Sequence, residues 1–155
     1  MFSAAPVRSV MLLAAFVTLC APLGVFAMGS GPAPAPVAPR TADSEFNTGL
    51  QNKAAKRFSA AVADFRRAVD LRQNFPEAWN ELGFALRQTG RYAEAVQAYD
   101  QALRLRPNFP EALEYLGEAY VKMDRREEAR AILVRLQGLD PSRARELEAA
   151  IQSGK

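Results

Sequence analysis

Glu111, Glu114 and Glu118 are spaced by three and four residues, so any helix that carries them puts three carboxylates on one face. Like charges at that spacing repel by roughly a few tenths of a kcal/mol each. A surface made for basic groups tolerates that cost, and so does a plain solvated acidic face. The rest of the chain limits what these groups can do chemically. Its 155 residues include no histidine and one cysteine, Cys20. That removes the commonest general base, the usual metal ligand, disulfides within the chain and cysteine-based zinc sites. Asp64, Asp70 and Asp100 are expected on outward, solvated faces of their helices. No Gly-rich phosphate loop is present. The expectation is a protein without catalytic residues, metal or cofactor.

Charge narrows the partners. Lys plus Arg is 20 and Asp plus Glu is 17, a formal net of +3. Arg66, Arg67, Arg104, Arg106, Arg125, Arg126, Arg130 and Arg135 sit among Asp64, Asp70, Asp100, Glu127 and Glu128. Mixed charge of this kind keeps helices soluble. It lacks the concentrated positive charge of a nucleic-acid binder.

The elements that position these residues begin late in the chain. Residues 1–27 contain no acidic residue and a single basic one, Arg8. The run Val10–Cys20 is apolar apart from Thr18, Pro22 and Gly24 follow it, and small residues stand at Val25 and Ala27. That is the layout of a secretory signal peptide, with cleavage expected after Ala27. An uncleaved membrane anchor is the alternative, and a lipoprotein reading of Cys20 is disfavoured by Leu19 before it. The expected location is therefore periplasmic or secreted, with membrane anchoring only if the segment stays. Residues 28–41 form a linker, and its 29–40 stretch, GSGPAPAPVAPR, favours extended polyproline II.

Beyond the linker the chain repeats itself. Asn74-Phe75-Pro76-Glu77-Ala78 recurs 34 residues later as Asn108-Phe109-Pro110-Glu111-Ala112. The same shift aligns Leu82 with Leu116, Gly83 with Gly117, Ala95 with Ala129 and Pro107 with Pro141. Shifting the other way aligns Gly49 with Gly83, Ala61 with Ala95, Phe65 with Tyr99 and Ala68 with Ala102. Three units follow, 42–75, 76–109 and 110–143, then a tail of residues 144–155. Each unit reads as two helices. In the second, Ala78, Trp79, Leu82, Phe84, Ala85 and Leu86 form one broad apolar stripe, ended by Gly90. Ala95, Val96, Tyr99, Ala102, Leu103 and Leu105 form another, closed by Pro107. Leu147, Ala150 and Ile151 give the tail one apolar face, which fits a capping helix.

Trp79, Leu82-Gly83, Ala95, Tyr99, Ala102 and Pro107, in that order, resemble the tetratricopeptide repeat. The third unit resembles it through Leu113, Leu116-Gly117, Tyr120, Ala129, Leu133 and Pro141, with Leu136 where alanine is usual. The first unit departs most: Glu45 stands at the large aromatic position and Thr48 at the leucine. The resemblance implies an all-α fold, an α-α superhelix of about seven helices.

It also implies that first helices line a concave groove that binds a segment of another protein. The positions facing that groove hold Asp43, Phe46, Leu50 and Lys53, then Glu77, Asn80, Phe84 and Arg87, then Glu111, Glu114, Glu118 and Val121. The candidate binding residues are Phe46, Leu50, Asn80, Phe84, Arg87, Glu111, Glu114 and Glu118. A rotated first helix would instead bury Phe46 and Leu50. Chaperone-binding members grip a C-terminal carboxylate with Lys, Asn and Arg. The corresponding places here hold Phe46, Leu50, Glu81, Glu111 and Tyr115, so a chaperone tail is not the expected ligand. The implied function is a non-catalytic adaptor of the cell envelope. A module that self-assembles through Leu147 and Ile151, or through its first helix, is the alternative.

Overall fold

The computed structural model describes residues 39–154. The signal segment and most of the linker lie outside these residues. Seven helices follow in order: α1 Ala42–Ala54, α2 Phe58–Leu71, α3 Pro76–Gln88, α4 Tyr92–Leu105, α5 Pro110–Lys122, α6 Arg126–Gln137 and α7 Pro141–Ser153. Among the described residues there is no strand, and no helix is long and apolar enough to cross a membrane.

Local chemistry sets the helix ends. Proline opens α3, α5 and α7, where its missing N–H costs nothing. The divergent first unit starts with a capping box instead. The Ser44 N–H donates to Thr41 Oγ1 at 3.1 Å, and the Thr41 N–H donates to Ser44 Oγ at 2.9 Å. Gly90 turns the chain between α3 and α4 at φ 77. One repeat away on either side, Lys56 and Asp124 hold the same left-handed turn at φ 56 and 55, where a side chain is strained.

Helices pack in pairs, and small residues set the spacing. A Cβ added at Gly83 would sit 2.6 Å from the Tyr99 ring, and one at Gly49 would sit 2.5 Å from the Phe65 ring. Phe65 and Tyr99 are fully buried by this approach, each worth roughly 2–3 kcal/mol of apolar burial. In the third unit the pattern changes hands: Gly117 is covered by Leu147 of α7. Leu147 and Ile151 are thus consumed by the chain's own core, together with Ala144. This corrects the expectation that Leu147 and Ile151 offer a surface to a second copy.

The first helix also has its explanation. Glu45 occupies the Trp79 position and Asp64 the Ala98 position, at the end of the stack where, among the described residues, no further repeat covers them. Both are buried. Arg67 Nε donates to Glu45 at 2.6 Å, and its guanidinium also bonds Asp64, which accepts from Asn52 as well. Arg40 approaches Glu45 at 3.6 Å. Ion-paired groups replace apolar ones at the open end, as terminal repeats of a stacked array require. Asp64 is therefore an inward member of this cluster, not an outward solvated residue; Asp70 is exposed as expected.

Candidate functional site

Successive first helices touch, α3 with α5 and α5 with α7, while the second helices make no comparable contact with one another. The first helices thus form one continuous face. Three ion pairs cross it, one per helix step. Lys53 of α1 meets Glu81 of α3 at 2.6 Å, Arg87 of α3 meets Glu118 of α5 at 2.8 Å, and Arg143 of α7 meets Glu114 of α5.

An aromatic cluster lies between these pairs. Phe84 packs against Tyr115, with ring centroids 5.4 Å apart, and edge-on to Phe58 at 6.2 Å. Lys53 Nζ stands 4.6 Å above the Phe84 ring. The Arg87 guanidinium lies 5.5 Å from Phe84 and 5.2 Å from Tyr115. Cations held over ring faces gain from the ring quadrupole. Phe46 packs 4.8 Å from Phe75 and 5.7 Å from Phe65, and Leu50 lies half-buried against the same core. Both the aromatic and aliphatic parts of the face are therefore fixed by packing before any partner arrives.

The structure brings Phe84, Arg87 and Glu118 together at the centre of the face. It places Asn80 deeper, nearly inaccessible, with its side-chain oxygen unpartnered. Arg87 Nε and the Tyr99 hydroxyl are buried and unpartnered too. Glu114 is not on a solvated acidic face: it is buried, and Arg143 reaches it from the capping helix. Burial pushes the Glu114 carboxyl above the usual carboxylate value, against the pull of Arg143. Burial raises Glu81 likewise, opposed by Lys53 and helped by the negative charge of Glu111. Sequence reasoning missed Arg143, because its position in the tail gave no sign that it turns back onto α5.

Glu111 differs from the others. At its position in the first two units, Asp43 pairs with Arg72 and Glu77 pairs with Arg106. Those arginines also lie 4.7 Å and 4.6 Å over Phe75 and Phe109. The third unit has Asp140 where the arginine should be. Asp140 instead caps α7, accepting from the Ser142 and Arg143 N–H groups at 3.0 and 3.1 Å. Glu111 is left half-exposed, without an ion pair among the described residues.

Two family models described as tetratricopeptide repeat match residues 65–97 and 111–142, and one described as TPR repeat matches 85–124. The chain belongs to the tetratricopeptide-repeat family. Its fold is the family's all-α superhelix, with about three repeats. No curated protein sequence matches it. Solved tetratricopeptide-repeat structures do. The first such domain of Spaghetti (RPAP3), bound to HSP90 peptide SRMEEVD, is 18% identical with a TM-score of 0.69, over 73% of this chain and 91% of that one. The second domain of human RPAP3, in complex with HSP70 peptide SGPTIEEVD, is 19% identical with a TM-score of 0.68, over 72% and 94%. YrrB, described as having an unusual peptide-binding site, is 22% identical with a TM-score of 0.69, over 72% of this chain and 59% of that one. At these identities the likeness is one of fold. Modules of this family and fold are typically protein-binding.

Proposed function

We propose that this tetratricopeptide-repeat protein is a non-catalytic adaptor that holds a basic segment of a partner protein across its first-helix face. The observation that carries the reading is Glu111. The repeat supplies an arginine to the equivalent acid twice and withholds it the third time. A lysine or arginine from a partner completes the pattern, with the Tyr115 ring and Glu81 beside it. Fixed aromatic surface at Phe84 and Tyr115 gives the segment something apolar to lie on.

The peptides held by the two RPAP3 domains end in Glu-Glu-Val-Asp. An acidic tail would meet Glu81 and Glu111 here, a repulsive arrangement. The same fold thus serves a ligand of opposite sign. The signal-peptide layout of residues 1–27 supports a place in the cell envelope, periplasmic or secreted. N-terminal sequencing of the exported protein tests that: a mature chain starting at Met28 agrees, and an intact Met1 in the membrane fraction refutes it.

The groove is tested with Glu111→Lys, whose side chain is free to point into solvent. Crosslinked partner capture should fall at least about tenfold, with an unchanged melting curve. Equal capture by both proteins would remove Glu111 from the site.

A further inference from the structure

Three positions of each unit work together at one end of the first-helix face. In the first unit they hold Asp43, Arg72 and Phe75, and in the second Glu77, Arg106 and Phe109. Each arginine pairs with its acid and lies over its ring, 4.7 Å from Phe75 for Arg72 and 4.6 Å from Phe109 for Arg106. Both times the cation is arginine, not lysine. A planar guanidinium can meet a carboxylate along its edge and lay its face on a ring, which a compact ammonium cannot do at once.

The third unit holds Glu111, Asp140 and Arg143 at the same positions. The acid stays and both companions are gone. An acid in the first turn suits the helix dipole in all three units, so the missing guanidinium is what sets the third apart. The cations nearby do not replace it. Lys53 is matched with Glu81, Arg87 with Glu118 and Arg143 with Glu114. Arg143 lies within the field of Glu111. Its Nη1 nevertheless donates to Glu114, and its Nε stands 3.5 Å from Asp140.

An aromatic surface is still at hand. Tyr115 is one turn on from Glu111, on the same side of α5, and half-buried. Its hydroxyl lies in the field of Glu111, which helps to hold the phenol protonated.

On the reading of this face as a partner site, we infer that Glu111 is an arginine socket. It takes the guanidinium of a partner arginine, laid beside the Tyr115 ring, and selects arginine over lysine. Asp140 keeps the socket open, because it occupies the place from which the other two units supply an arginine of their own.

The full chain is titrated calorimetrically with three capped peptides: Ala-Leu-Arg-Leu-Ala, and the same peptide with lysine or citrulline at its centre. Citrulline keeps the planar shape of the guanidinium and removes its charge. The arginine peptide should bind saturably and at least about fivefold tighter than either of the others, the factor that a cation stacked on a ring carries. Asp140→Arg restores the chain's own arginine and should lower affinity for that peptide at least about fivefold, with the helical spectrum intact. Asp140→Asn keeps a capping side chain on α7 and supplies no cation, so affinity should not change. Full affinity in Asp140→Arg would overturn the socket. Equal binding of the arginine and lysine peptides, both lost in Glu111→Lys, would also overturn it and leave the basic-segment reading standing. Equal binding of the citrulline peptide, binding unaltered in Glu111→Lys, or no binding of any peptide would overturn both.

Discussion

Glu114 and Arg143 form a buried ion pair that ties the middle of α5 to the capping helix α7. A carboxylate that sequence spacing assigns to a binding face is thus part of the fold. Removing one partner of a buried pair leaves the other uncompensated. Glu114→Lys should therefore destabilise the protein by about 3 kcal/mol, since it sets a buried cation against Arg143. Chemical denaturation measures this; a loss below about 1 kcal/mol would mean that Glu114 is not held as described.

The same carboxyl gives a pH test. Burial raises its folded value above the ordinary 4.5, so the folded state binds the proton more readily than the unfolded one. Its contribution to stability is fully present below 4.5 and is lost as pH rises through the folded value. Wild type should lose stability relative to Glu114→Gln as pH climbs from about 4.5 to 7. Paired melting curves across that range check the sign, and a constant difference would contradict it.

Gly83→Ala weighs two effects. Alanine gains up to about 1 kcal/mol in helix propensity. Its Cβ would stand 2.6 Å from a fully buried Tyr99 ring that has no room to retreat. Overpacking of that kind costs about 1–3 kcal/mol and should win. A net loss of stability in urea is the expected result.

Lys56→Gly should act in the opposite direction. Lys56 adopts φ 56 where the second unit uses Gly90. Relief of the left-handed strain is worth about 1 kcal/mol, partly offset by the added freedom of the unfolded chain. A rise in melting temperature is expected, with no change in partner capture.

The repeat, its period and its helix pairs were legible because Gly83, Tyr99 and Pro107 are demanded by close packing and chain breaking at fixed places. The first helix was harder. Glu45 and Asp64 look like lost consensus residues in the sequence, and only the reach of Arg67 shows them to be an end cap. Phe84 and Arg87 fall together as their spacing implies. The partners of Glu114 and Glu118 depend on the angles between helices, which spacing within one helix does not contain.

The central claim is that the first-helix face holds a partner through the carboxylate the repeat leaves unpaired. The most direct measurement is in-cell crosslinking of the exported protein, read by mass spectrometry, with wild type beside Glu111→Lys. A partner captured by wild type and lost in the variant, with both proteins equally folded, is the predicted result. A partner retained equally by both, or recovery of the protein alone, would contradict the account.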